Sequence, residues 1–154
     1  MKYIFLFLPL FASCGKNLED VIYKNYEPDR KNTHSDFIPY LEELEIHFGK
    51  VKSSVIYDSP EKNKNWVGVC RKWNNSDYRE IAIEKKYWDS IDDNGKKQLL
   101  MHELGHCELD KGHNDIEDGY CPVSVMRSYA FNQNELDNCF DINFNYYLEE
   151  LLDI

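Results

Sequence analysis

From Phe37 to Phe48, apolar side chains recur three and four residues apart (Phe37, Tyr40, Leu41, Leu44, Phe48), the period of a helix with one buried face. Ser35 or Asp36 can cap that helix, Pro39 suits its first turns, and Gly49 ends it. The pattern then shortens to apolar runs of strand length. Ser53–Tyr57 is broken by Asp58-Ser59-Pro60. Trp66–Cys70 reads Trp-Val-Gly-Val-Cys and is closed by the turn residues Asn74-Asn75-Ser76-Asp77. Tyr78–Ile83 contains Ile81-Ala82-Ile83. A second helical period runs from about Asn94 to Lys111, with Asp92 or Asp93 as its cap. Leu100, Leu104 and Cys107 line one side of it, while His102, His106 and Leu109 line another. The first stripe is expected to pack on the sheet and leave the second for a cleft. After a loop from His113 to Cys121 and a polar stretch to Asp141, Phe144–Leu152 shows helical spacing and closes the chain. These elements predict an α+β domain with a small sheet.

The N-terminus follows a different pattern. Lys2 precedes an apolar run from Tyr3 to Phe11, too short to span a bilayer and similar to the core of a secretory signal. The ending Phe11-Ala12-Ser13-Cys14 resembles a bacterial lipobox, in which cleavage precedes a cysteine that becomes lipidated. That resemblance divides the chain into a signal peptide (1–13), a polar tether (14–34) and a globular domain (35–154). It places lipidated Cys14 at a membrane of the bacterial cell envelope, on the exported side. Cleavage there leaves Cys70, Cys107, Cys121 and Cys139, an even number in an exported protein, which favours disulfides. Four cysteines allow three pairings; a Cys107–Cys121 bridge is one that would fix the loop leaving the second helix.

With 154 residues, 42% hydrophobic and 14% aromatic, the chain suits one domain with its own core. Its net charge of −10 argues against nucleic acid as a partner, because phosphate contacts require clustered Lys and Arg.

Three of the five histidines fall within His102–His113. His102 and His106, four apart, project from one helix face and can share a metal ion, with Glu103 beside them as a general base. On a continued helix His113 would lie about 16 Å beyond His102 along the axis, too far to share with it an ion whose bonds to nitrogen are about 2.1 Å. The chain must therefore leave the helix after Leu109 and fold back, and Gly112 is suited to the left-handed conformation of such a turn. Three neutral imidazoles leave one position open for water, the pattern of a catalytic zinc site. Zn2+ would then activate that water, and Glu103 would take its proton and hand it to the leaving amine.

His102-Glu103-Leu104-Gly105-His106, the later His113 and Ser124-Val125-Met126 together resemble the zinc proteases called metzincins. The resemblance covers roughly Ile81 to Met126. It implies a small zincin-like domain with a short twisted mixed sheet, an active-site helix and a C-terminal helix. It further implies Zn2+ held by His102, His106 and His113, Met126 in a methionine turn beneath the ligands, and Tyr78–Ile83 as the edge strand that receives an extended peptide or protein substrate. The chain is expected to act as a monomer. It departs from the family at two positions. Leu109 stands where the family has glycine, and Gly112 stands at the third-ligand position, one residue before His113. Either the turn holds one extra residue, or Asp110 or Asp115 completes the site. A zinc-binding lipoprotein without activity and a zinc amidase acting on cell-wall peptides are the alternative functions.

Overall fold

The spacing of apolar residues produces the helices it predicts. In the computed structural model, which describes residues 22–24, 32–62, 64–74 and 76–154, a short 3-10 turn at Ser35–Phe37 leads into α1 (Ile38–Phe48). Leu41 and Leu44 are buried along α1, and Gly49 ends it at φ 70°. The closing helix occupies Phe144–Leu152, with Tyr147, Leu148 and Leu151 buried. The lipobox-like segment and Cys14 lie outside the described residues.

Among the described residues, four strands form the main sheet. They are β1 (Ile22–Lys24), β2 (Ser54–Tyr57), β3 (Gly68–Trp73) and β4 (Arg79–Ile83), in the order β1-β3-β4-β2. β3 and β4 are antiparallel with Gly68 opposite Ile83; β2 runs parallel to β4, and β1 parallel to β3. The fold is thus α+β with a mixed sheet. β1 falls inside the stretch read as tether, where the apolar residues Ile22 and Tyr23 are too few to show a period. β4 pairs on both sides, so Tyr78–Ile83 is not the edge strand that the family resemblance implied. Ile81-Ala82-Ile83 signals this in retrospect: all three are fully buried, as a central strand requires.

After a single-turn helix α2 (Lys85–Trp88), the long helix α3 (Asp93–Leu109) crosses the sheet. Asp92 caps it by accepting from the Gly95 N–H at 2.8 Å, a bond that holds the Asp92 carboxyl below its ordinary range. Loss of such a cap costs about 1 kcal/mol. Every residue of α3 from Gln98 to Cys107 is buried. The face opposite the sheet is therefore covered as well. The chain's last third packs there: a short hairpin of β5 (Glu117–Asp118) and β6 (Cys121–Pro122), the single-turn α4 (Gln133–Glu135), a π-turn at Leu136–Phe140, and α5 (Phe144–Leu152). α3 is the middle layer of the molecule.

Two disulfides bind these layers together, in a pairing different from Cys107–Cys121. Cys70–Cys107 joins β3 to α3, and Cys121–Cys139 joins the hairpin to the π-turn. Cys107 belongs to the stripe that faces the sheet, which directs its sulfur to β3 and away from the outgoing loop. The first bridge spans 37 positions. By loop-closure entropy, replacing Cys70 and Cys107 together by alanine should lower stability by about 4 kcal/mol. The denaturant midpoint measures this, and an unchanged midpoint would count against the bridge.

Candidate metal centre

His102 and His106 are placed by α3 itself. Their Nε2 atoms lie 3.0 Å apart, as four-residue spacing on one helix face allows. Each ring is fixed from behind by a main-chain carbonyl: His102 Nδ1 donates to Val125 O at 2.9 Å, and His106 Nδ1 to Lys111 O at 2.7 Å. A carbonyl oxygen only accepts, so the proton of each neutral ring resides on Nδ1 and the Nε2 lone pair points inward. Burial, followed by the neighbouring His106, pushes the His102 pKa well below its ordinary value and keeps that ring neutral.

The turn that delivers His113 differs from the one expected. α3 ends at Leu109, and it is Asp110, not Gly112, that takes the left-handed conformation (φ 55°, ψ 28°). Aspartate tolerates this region better than most residues. The N–H groups of Asp110 and Lys111 both bond back to Gly105 O, the latter at 3.0 Å, and so close the end of the helix. The Asp110 carboxylate pairs with Lys72 on β3 and stands 3.8 Å from Arg79 on β4, while Arg79 also donates to Cys107 O. Two cations thus meet the negative end of the α3 dipole, a contribution of about 0.3–1 kcal/mol each. The chain then turns so that His113 Nε2 comes within 3.3 Å of His106 Nε2.

Among the described residues, His102, His106 and His113 form one group whose ligand atoms all lie within 4.8 Å of one another. A tetrahedral ion with bonds of about 2.1 Å places its nitrogen ligands about 3.4 Å apart. The separations of 3.0 and 3.3 Å are close to that value. Lone pairs converging at such range repel unless a cation lies between them, so the donor set fits a divalent metal ion of the zinc type. Neither Asp110 nor Asp115 joins the group: Asp110 is engaged by Lys72, and Asp115 accepts from Ser128 N at 2.7 Å and Ser128 Oγ at 2.8 Å.

Glu103 is fully buried, and its carboxylate lies against Gly68 at the start of β3. A Cβ at position 68 would stand 2.9 Å from Glu103 Cδ. The glycine is what admits the carboxylate beneath the strand. In the sequence, the one sign of this role for Gly68 is a glycine inside the apolar run Trp-Val-Gly-Val-Cys, the signal of a close approach. Gly68→Ala should displace the carboxylate and lower any hydrolysis dependent on it by about 100-fold, with zinc content unchanged. Hydrolysis at the original rate in that variant would show that Glu103 needs no such slot.

Met126 occupies a turn on the other side of α3. It is almost fully buried, its N–H meets Ser124 Oγ at 3.0 Å, and its thioether packs on Gly105; a Cβ at 105 would come within 3.0 Å of Met126 Cε. The preceding residue, Val125, is the one whose carbonyl fixes His102. The segment Ser124–Met126 therefore supports the histidines from the face opposite the sheet. His47, off the core stripe of α1, is exposed.

No curated protein and no solved structure matches the chain. A protein-family model described as "Putative phage metallopeptidase" matches residues 25–129, a span that contains β2 to β4, the whole of α3, all three histidines and Met126. The chain belongs to that phage metallopeptidase family.

Proposed function

We propose that the protein is a zinc-dependent peptidase of metzincin type, with His102, His106 and His113 as metal ligands and Glu103 as general base. The convergence of three imidazole Nε2 atoms, two of them on the helix that also carries the buried Glu103, supports this reading. A bound zinc ion would acidify water and polarise the scissile carbonyl. The Glu103 carboxylate takes the proton of the attacking water and transfers it to the departing amine. The Nδ1 bonds of His102 and His106 hold the rings in the ligand tautomer throughout the cycle, and Met126 braces them from below.

β3, rather than β4, is suited to receive an extended substrate. Val67 O accepts from the Glu84 N–H, so Val67 faces β4, and by strand alternation Gly68 turns its N–H and C=O to the opposite side. There the pairing with β1 begins only at Arg71, and no described strand lies beside Gly68. A peptide added along this edge would run beside Gly68, the residue against which the Glu103 carboxylate lies.

We also propose that the chain is exported and anchored through Cys14. The lipobox-like motif supports this, and so does the mutual pairing of the four later cysteines, which suits an oxidising compartment.

The test of the function is to incubate the zinc-loaded protein with an unbiased peptide mixture and read new termini by mass spectrometry. Internal cleavage is expected. An untouched mixture would favour a zinc-binding lipoprotein. Cleavage confined to cell-wall peptides would favour the amidase.

A further inference from the structure

His102 and His106 are positioned by a helix, but His113 lies four residues beyond its end. What holds the third ligand must therefore be found in the loop. Its main chain is laced to the segment around the methionine turn: Asn114 N–H donates to Met126 O at 2.9 Å, and Val123 N–H to Ile116 O at 3.1 Å. Between these two ties stands Asp115, whose carboxylate accepts from both donors of one residue. The Ser128 N–H reaches Oδ1 at 2.7 Å, and Ser128 Oγ meets both carboxylate oxygens at 2.8 Å. Ser128 is itself on a fixed segment, because its neighbour Arg127 pairs with Glu117 at 2.9 Å and Glu135 at 2.6 Å, and Met126 is packed on Gly105.

We infer that Asp115 is the positioning residue of the third histidine, fixing the His113 loop to Ser128 so that its imidazole meets the other two. This rests on the reading of the three histidines as zinc ligands. Asp115 and Ser128 are exposed or half-exposed, so their bond adds little to the stability of the fold. Its effect falls instead on where His113 stands. A ligand two residues away is displaced when the tie is cut, and loss of such supporting contacts weakens metal binding by about 10–100-fold.

The experiment measures zinc dissociation constants by competition with a chromophoric chelator, alongside the visible spectrum of the cobalt-substituted protein and the melting temperature of the metal-free protein. Asp115→Ala and Ser128→Ala should each weaken zinc at least about tenfold and alter the cobalt spectrum, while the metal-free melting temperature stays near that of the unmodified chain. Asp115→Asn, which keeps an acceptor for the Ser128 N–H, should recover much of the affinity. Asp118→Ala, in the same acidic loop, should change neither readout. Unchanged affinity and spectrum in Asp115→Ala would overturn the inference, as would a loss of affinity matched by unfolding of the metal-free protein. If the unmodified chain binds no zinc, the ligand assignment fails first and the inference with it. If the unmodified chain binds zinc and Asp115→Ala binds it equally well, only the inference fails.

Discussion

Glu103→Gln should leave one zinc ion in the protein and reduce peptide hydrolysis by about 10²–10⁴-fold. Glutamine has the size of glutamate, so it fits the slot opposite Gly68 without moving β3. What it lacks is a basic oxygen to accept the water's proton. Stability should not fall, since burying a carboxylate carries a desolvation cost that a neutral amide lessens. The variant thereby separates chemistry from folding: a stable, zinc-loaded, inactive protein is the expected product. Hydrolysis at the original rate would remove Glu103 from the mechanism.

His113→Ala should have the larger effect on the metal. It removes one of the three proposed ligands and should weaken zinc by more than about 100-fold, beyond what loss of a supporting contact produces. The fold should survive, because His113 lies on a half-buried loop outside the core, whereas His102 and His106 are fully buried in α3. No nearby carboxylate is placed to substitute, with Asp110 held by Lys72 and Asp115 by Ser128. Zinc content measured by atomic emission checks this. Wild-type zinc in the alanine variant would mean that another group completes the site.

Much of this architecture can be read from local pattern. The period of three and four residues locates α1, α3 and α5. The Asp92 cap, the Gly49 stop and the four-residue spacing of His102 and His106 follow from short-range chemistry alone. What escapes such reading depends on contacts distant in sequence. The partner of Cys107 is set by which face of α3 meets β3, 37 positions away. The run Ile81-Ala82-Ile83 marks β4 as buried, but that its neighbours are β3 and β2 is an order its own residues do not encode. The turn to His113 was legible in outline, since geometry requires the chain to fold back. Its agent was not. Asp110 adopts the left-handed conformation with Lys72 and Arg79 gathered at the same helix end, and a glycine two positions later is the more conspicuous signal. Gly68 stands between these cases: a glycine within a strand marks a close approach, but only the fold shows that Glu103 is what approaches.

The most direct measurement is metal stoichiometry coupled to activity in one preparation. Purified protein is stripped with a chelator, assayed on the peptide mixture, and titrated with zinc while hydrolysis is followed. A three-histidine catalytic centre requires loss of hydrolysis on stripping and full recovery at one zinc per chain. Hydrolysis that persists in the stripped protein, or zinc that binds at one per chain without restoring it, would contradict the assignment of His102, His106 and His113 as the catalytic metal site.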